Sequence, residues 1–358
     1  MDRSPVPGAG PVRDEDAFDV PAVAAWLRTQ DLDADLAADL AAEPEVRQFS
    51  GGASNLTYLL RYPARDLVLR RPPAGQKAAG AHDMRRELTI QSRLRPVFPY
   101  VPRMIAHCDD RSVVGSDFYV MERVEGTILG RDLPSGTNLS ESGVRRLCTG
   151  VLDRLVELHS VDAEAAGLGD LGRGHGYVGR QVAGWSERFR RARTEDVGDF
   201  EAVMAWLDEH RPEDVGSCVI HNDYRFDNVV LDEDLEVRGV LDWEMATLGD
   251  PLMDLGGALA YWVEAGDDEV FQQFRRQPTH LSGMLTRAEV VEYYTGRTGL
   301  SVSPAQWTFY EVFGLFRLAV IAQQIYYRYV HGQTTNEAFA VFGPAVQYLE
   351  QRCKELAR

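Results

Sequence analysis

The sequence predicts an α+β protein in two lobes, a small antiparallel β lobe with one helix followed by a larger, mainly helical lobe. Three observations carry this. Residues 54–71 hold two strand-like runs, "SNLTYLLR" and "DLVLRR", around the short turn "YPAR". From residue 140 onward apolar residues recur at helical spacing, as in Val144, Leu147, Val151, Leu155 and Leu158. A single β insertion, residues 217–244, interrupts that helical region.

In chain order, residues 1–17 are acidic and rich in Pro and Gly, and read as a disordered segment. Residues 18–124 make the first lobe. It opens on an amphipathic helix, "DVPAVAAWLRTQ", with Val20, Val23, Trp26 and Leu27 on one face. The two strands then form a hairpin that Pro72-Pro73 ends. A helix follows in "AHDMRRELTIQSRLR", with Met84, Leu88 and Leu94 on its apolar face, and "RSVVG" and "DFYVMERV" read as two further strands.

Residues 125–358 make the second lobe, entered through the connector "EGTILGRDLPSGTNLS". After its first long helix come the strand "SCVIH" and the hairpin "NVVLDEDLEVRGVLDWE", turning at Asp232-Glu233-Asp234. Helices resume in "DLGGALAYWVEAG", "TRAEVVEYYTGRTG", "PAQWTFYEVFGLFRLAVIAQQIYYRYV" and "NEAFAVFGPAVQYLEQRC".

With 358 residues, 44% of them hydrophobic, the chain can build a sizeable core. A net charge of −17 weighs against nucleic acid as a partner, because phosphate contacts need clustered cations. Only Lys77 and Lys354 are lysines; every other cation of the Lys/Arg class is arginine. Cys108, Cys148, Cys218 and Cys353 are scattered without C-x-x-C spacing, which points away from a disulfide framework or a zinc site. The N-terminus carries no apolar signal region and no run reaches bilayer length, so a cytoplasmic protein without a membrane partner is expected. Oligomeric state leaves no mark on the sequence.

The chemistry concentrates in "HNDYRFDN", residues 221–228, just after an apolar strand. His221, Asp223 and Asn228 fit H-x-D-x-x-x-x-N, and Asp242 follows in "GVLDWE" at the end of the next hairpin. Pairing residues 229–231 with 237–241 would set Asn228 beside Asp242 at the open end of that hairpin. An amide oxygen and a carboxylate are hard ligands of the kind Mg²⁺ takes, with phosphate and water completing its octahedron. Asp223 could accept the proton of an attacking hydroxyl. One base and a metal clamp are the parts of a phosphoryl-transfer site. Read singly, each of these residues also suits ordinary turn chemistry.

The first lobe would then hold the nucleotide, with ATP as cosubstrate. In "FSGGASNLTYLL", Gly51, Gly52, Ser54 and Asn55 form a turn where backbone N–H groups can approach phosphates. On the next strand Val68 and Arg70 share a face, and Glu87 lies on the following helix: a cation for phosphates steadied by a carboxylate. Arg71, on the opposite face, is the rival candidate, and Lys77 lies beyond the prolines. The other histidines, His159 among them, show no metal-ligand spacing and read as surface or core residues.

The stretch "VIHNDYRFDNVVLDEDLEVRGVLDWEMATLGDPLMDLGG" resembles the aminoglycoside phosphotransferase, or choline-kinase-like, branch of the protein-kinase-like fold. The resemblance covers roughly residues 45–340. The form D-[FY]-R-x-D-N…LDWE…GDPLxDL is most similar to the kinase-like domains fused to acyl-CoA dehydrogenases and their free-standing bacterial relatives. It implies Asp223 as catalytic base, Asn228 and Asp242 as Mg²⁺ ligands, and His221 as a scaffold histidine. Asp254 would buttress the catalytic loop through its backbone, and Glu122 and Val124 would hold adenine through main-chain groups.

Two positions depart from the family pattern. Asn222 replaces the glycine of H-G-D, and if φ is positive there Asn is the least costly substitute. Arg70 stands at the lysine position, and a planar fork cannot bind as a point charge does. The expected function is a kinase of a small-molecule hydroxyl, with a hydroxyacyl-type acceptor implied by the resemblance. The alternatives are an inactive nucleotide-binding or scaffold protein of the same fold, and an aminoglycoside or macrolide O-phosphotransferase.

Overall fold

The computed structural model describes residues 6–50, 55–73, 83–334 and 336–358. The chain divides into two compact units: Met1–Glu125 with Arg238–Glu244, and Gly126–Val237 with Met245–Arg358.

The first unit contains β1 (Ala9–Gly10), α1 (Val20–Leu27), α2 (Ala34–Asp39), β2 (Glu45–Phe49), β3 (Leu56–Arg61), β4 (Asp66–Arg71), α3 (Met84–Leu94), β5 (Met104–Cys108), α4 (Arg111–Val114) and β6 (Phe118–Glu122). The strands form one antiparallel sheet in the order β1-β2-β3-β4-β6-β5. Period-two alternation sorts its side chains. Tyr58, Leu60, Leu67, Leu69, Phe118 and Val120 pack with Val23 and Leu27 of α1, Leu36 of α2 and Leu40 just beyond it. Val68, Tyr119 and Met121 face the other way, onto Met84 and Leu88 of α3. Arg70, two residues after Val68, therefore belongs to the α3 face.

Two expectations are corrected here. The segment before residue 18 is structured from residue 6: Ala9 and Gly10 pair with Phe49 and Gln48, and Asp14–Asp16 make a 3-10 turn. The reason is Arg71, buried on the sheet face opposite Arg70. It donates to the Asp16 carbonyl at 2.6 Å and to the Tyr58 hydroxyl at 3.1 Å, with Phe18 beneath its guanidinium. Arg71 is thus a structural anchor for the N-terminal segment rather than a phosphate ligand. The run "RSVVG" is helix α4 instead of a strand. Asp110 caps it through Ser112 N, and Gly115 ends it at φ 81°. The strand beside β6 is β5, which residues 104–108 supply.

The second unit contains β7 (Thr127–Ile128), α5 (Glu141–His159), α6 (Tyr177–Ala192), α7 (Glu201–Glu209), β8 (Cys218–Ile220), β9 (Val229–Leu231), β11 (Thr247–Gly249), α8 (Pro251–Leu259), α9 (Glu269–Gln273), α10 (Arg287–Thr298), α11 (Pro304–Val330) and α12 (Phe342–Leu356). Between β9 and β11 in sequence, β10 (Val237–Val240) crosses the boundary between the units. On α5, Val144, Leu147, Cys148, Val151, Leu152, Leu155 and Leu158 are buried, the stripe the spacing predicts. The long helix α11 packs against α6, α8 and α12. Glycine lets α8 and α11 approach: a Cβ on Gly256 would lie 2.6 Å from the Tyr310 carbonyl. Strands β8 and β11 pair antiparallel and bracket the segment that carries Asp223.

No described helix is long and apolar enough to cross a membrane.

Candidate active site

In the first unit, the α3 face of β4 builds a buried charge cluster. Asp83 caps α3 by accepting from Arg86 N, which sets Glu87 in the first turn, where a carboxylate suits the helix dipole. Arg70 Nη1 donates to Glu87 Oε1 at 2.6 Å, and the Tyr119 hydroxyl donates to the same oxygen at 2.7 Å. The other arm of the fork, Nη2, donates to Asp242 Oδ1 at 3.0 Å and lies 4.0 Å from Glu244 Oε2. Asn55 Nδ2 donates to that Glu244 oxygen at 3.1 Å. Burial works against the Arg70 charge, but Tyr119, Glu87, Asp242 and Glu244 hold its pKa well above the usual arginine value. Arg70 Nε and Glu87 Oε2 are enclosed with no hydrogen-bond partner among the described residues.

Asp242 sits at φ 66°, a backbone conformation that few residues other than Gly, Asn and Asp accept, and its side chain is about one-third exposed. Glu122 ends β6 with its N–H donating to the Arg103 carbonyl at 2.8 Å. Val124 packs its side chain on Gly239, where a Cβ would meet it at 2.8 Å. Gly52 and Ser54 lie outside the described residues.

In the second unit, the catalytic-loop candidates are organised by Asp254 on α8. Asp250 caps that helix, accepting from Leu252 N and Met253 N at 2.8 and 3.1 Å, and Pro251 occupies its first position. One turn later, fully buried Asp254 accepts from His221 N at 2.8 Å and from Asn222 N at 2.7 Å. Its carboxylate also meets His159 Nε2 at 3.1 Å, while His159 Nδ1 lies 2.6 Å from the Tyr294 hydroxyl. Burial alone would push the Asp254 carboxyl up. The His159 hydrogen bond, the two histidine rings and the His221 amide together bring it below the usual range.

Around Asp223 the loop closes on itself. Its amide donates to His221 Nδ1 at 3.2 Å. Asn228 Nδ2 donates to the Asp223 carbonyl at 2.8 Å and to its carboxylate at 3.0 Å. Both amide donors being engaged, Asn228 Oδ1 is left without a protein donor among the described residues. Arg225 lies across the same carboxylate, Nη2 donating to Oδ2 at 3.2 Å and Nε 3.1 Å from Oδ1, with the Tyr261 ring 4.5 Å beneath it. Asn222 adopts φ 65°. Its side chain is tied at both ends, accepting from Tyr177 Oη at 3.2 Å and donating to the Met245 carbonyl at 3.0 Å.

The structure therefore brings Arg70, Glu87, Asn55 and Asp242 into one neighbourhood of the first unit, and His221, Asp223, Asn228 and Asp254 into one neighbourhood of the second. Arg225, His159, Tyr119 and Glu244 were not singled out by sequence reasoning. Arg225 and Glu244 sit inside the quoted motifs, and their polar character beside an assigned carboxylate was the available signal. His159 carried none, because its partners are 95 residues or more away.

Asn228 of the second unit offers an amide oxygen without a protein donor among the described residues, and Asp242 of the first a carboxylate, each singly a ligand type that Mg²⁺ accepts. Among the described residues no cluster of three or more His, Cys, Asp or Glu forms an all-protein metal cage.

An antiparallel sheet flanked by helices, joined to a helical unit whose loop presents H-x-D-x-x-x-x-N on a buried aspartate, defines a kinase-like phosphotransferase fold. The chain belongs to the phosphotransferase enzyme family, whose model matches residues 45–290. It is 35% identical over 294 residues to acyl-CoA dehydrogenase family member 10 of Mus musculus, covering 82% of this chain and 27% of that protein. The chain thus spans about a quarter of that relative. A crystal structure from Ralstonia eutropha jmp134, provisionally described as an aminoglycoside phosphotransferase, superposes with a TM-score of 0.79 at 30% identity, covering 95% and 98% of the two chains. An APH(4)-Ia aminoglycoside phosphotransferase solved with AMP-PNP and hygromycin B shares the fold, with a TM-score of 0.54 at 14% identity over 88% of this chain and 93% of that one.

Proposed function

We infer that the protein is an ATP- and Mg²⁺-dependent phosphotransferase acting on a hydroxyl of a small molecule, with a hydroxyacyl-type acceptor. The observation that carries this reading is the Asp223 carboxylate, fixed by Asn228 Nδ2 and Arg225 while Asn228 Oδ1 stays open. In the reaction the acceptor oxygen forms a bond to the γ-phosphorus as the bond from that phosphorus to the β–γ bridging oxygen breaks. ADP leaves with the bridging oxygen, and the hydroxyl proton passes to Asp223. Asn228 and Asp242 would supply the protein oxygens for Mg²⁺, which neutralises charge on the phosphates when bound. Arg70, steadied by Glu87, supplies further positive charge. Asn55, with Gly52 and Ser54 of the same sequence stretch, is assigned to the phosphates, and Glu122 and Val124 to the adenine contact. A relative that carries AMP-PNP supports ATP as the cosubstrate.

One observation favours a second reading, a nucleotide-binding protein without turnover. Arg70 Nη2 sits on Asp242 Oδ1 at 3.0 Å, engaging a carboxylate that metal binding would need. Calorimetry of Mg·ATP binding, paired with turnover, separates the two. Under the kinase reading Asp223→Ala keeps nucleotide affinity and loses turnover, whereas Asp242→Ala also loses the metal-dependent part of the affinity. Wild-type protein that binds ATP equally with and without Mg²⁺ would sink the kinase reading.

A further inference from the structure

Two arginines of the second unit that lie against one indole, Arg317 and Arg188, have no carboxylate within 4.0 Å among the described residues. Arg317 on α11 is buried, at 7% exposure, yet no carboxylate lies within 4.0 Å of it among the described residues. Its one hydrogen bond runs from Nη2 to the carbonyl of Asn222 at 2.5 Å, one residue before Asp223. Burying a guanidinium without a counter-charge is costly, so an unmatched one beside a reactive loop calls for an explanation. Its remaining N–H groups are not among the enclosed, unpartnered atoms, so they open outward rather than into the core.

Trp185 of α6 lies under this group, with the Arg317 guanidinium 5.3 Å from the ring centre. The same ring carries Arg188 at 4.6 Å, and Arg188 makes no hydrogen bond or ion pair among the described residues. Burial first, and then the nearby charges of Arg191 and Arg317, hold Arg188 below the usual arginine value. The placement depends on a small residue: a Cβ on Gly257 of α8 would come within 3.0 Å of Arg317 Nη1. Both guanidiniums contact one indole, and Arg317 reaches the carbonyl of the residue before the base; cations so placed suit an oxyanion.

We propose that Arg317 and Arg188, held on Trp185, are the anchor for an oxyanion, a carboxylate or a phosphate, on the molecule whose hydroxyl is phosphorylated. This rests on the phosphotransferase reading and selects within it: the acceptor is an anion and not a polycationic amine. Asn222 explains how anchor and base stay in register. Its carbonyl accepts from Arg317 and its amide donates to Asp254, so the anchor and the support of the loop meet on the two peptides flanking one residue.

The test has two arms on the full-length protein. In the first, calorimetry without nucleotide measures butyrate and inorganic phosphate, neither of which can accept a phosphoryl group through an alcohol. Saturable 1:1 binding, weakened about tenfold or more in Arg188→Ala and kept to a greater degree in Arg317→Lys than in Arg317→Gln, is expected for charge-assisted hydrogen bonds. Whichever anion binds more tightly names the source. Thermal melting of each variant separates lost binding from lost folding, and Arg188 is the exposed member of the pair. In the second arm, ADP release is compared between hydroxy acids, hydroxyalkyl phosphates, and diols and amino alcohols of equal length. A preference for the acids or phosphates that shrinks in Arg188→Ala supports the anchor. Equal turnover of diols and acids overturns it while leaving the kinase reading intact. Anion binding that needs Arg188, with no ADP release from any acceptor, keeps the anchor and overturns the kinase reading.

Discussion

Arg70 in the β unit and Asp254 in the helical unit are both buried charges at the heart of a polar cluster, and they are satisfied in different ways. Arg70 spends its fork on two carboxylates, Glu87 at 2.6 Å and Asp242 at 3.0 Å, and leaves its own Nε and Glu87 Oε2 without partners. Asp254 directs both oxygens to main-chain N–H groups of the loop, at 2.7 and 2.8 Å, and adds His159. The first arrangement is charge against charge and can be rearranged by an incoming phosphate or cation. The second fixes backbone, and a backbone so fixed presents Asp223 in one geometry before any ligand arrives. One unit holds a set of charges in reserve; the other holds a shape.

Breaking the Arg70 cluster should give the largest loss of stability. Arg70→Met leaves Glu87 buried without a cation and is expected to cost about 3–5 kcal/mol in urea unfolding. Arg70→Lys keeps the charge but cannot span both carboxylates, and should cost less than half as much. Equal losses for Met and Lys would show that shape, not charge, matters at this position.

In the helical unit, Asp254→Ala removes the acceptor of two loop amides. A loss of about 2–3 kcal/mol is expected from the unpaired groups, with a proportionally larger fall in kcat than in stability. A variant that loses stability but turns over normally would contradict the view that Asp254 acts through the loop.

The two aspartates of α8 should also differ in their response to pH. Burial pushes the Asp250 carboxyl up to about 6, against the hydrogen bonds from Val215, Met253 and Leu252, whereas Asp254 is brought below the usual range. For Asp250 the folded state keeps a proton that the unfolded chain releases, so its contribution to stability falls as pH rises from about 4 to 6. For Asp254 the sign reverses: its contribution is present above the unfolded value and is lost as pH falls through the folded one. Unfolding free energies from pH 4 to 7 should therefore show Asp250→Asn gaining on the wild type by up to about 3 kcal/mol. A flat difference between the two proteins would refute the raised Asp250 value.

The smallest effect is expected at Asn222. Asn222→Gly relieves the φ of 65° but loses the bonds to Tyr177 and Met245, leaving stability within about 1 kcal/mol of wild type. Asn222→Ala loses the bonds and keeps the strain, and should cost about 2 kcal/mol more than the glycine variant.

Local pattern made much of this legible. The hairpin of β3 and β4 and the stripe of α5 followed from periodicity, and two-residue alternation put Arg70 and Val68 on one face while sending Arg71 to the other. Positive φ at position 222 was readable from Asn standing where the resembled H-G-D pattern has Gly. What failed to show depends on distant partners. Residues 9–17 look like a disordered tail until Arg71, more than fifty positions away, supplies donors for Asp16. "RSVVG" has strand-forming valines, yet the caps Asp110 and Gly115 decide its conformation. Arg225 stood in plain view within "DYRFDN", but only its contact with Asp223 and Tyr261 assigns it a task. His159 and Arg317 gain meaning solely from the helix packing that delivers them to the loop.

The most direct test is ADP release from Mg·ATP across hydroxy acids, hydroxyacyl-CoAs, aminoglycosides, macrolides, sugars and amino alcohols, run in parallel with wild type and Asp223→Ala. Release that depends on an acceptor and falls about 10²–10⁴-fold in the variant is the expected result. Acceptor-dependent release that persists undiminished in Asp223→Ala would contradict the role of this loop as the seat of catalysis.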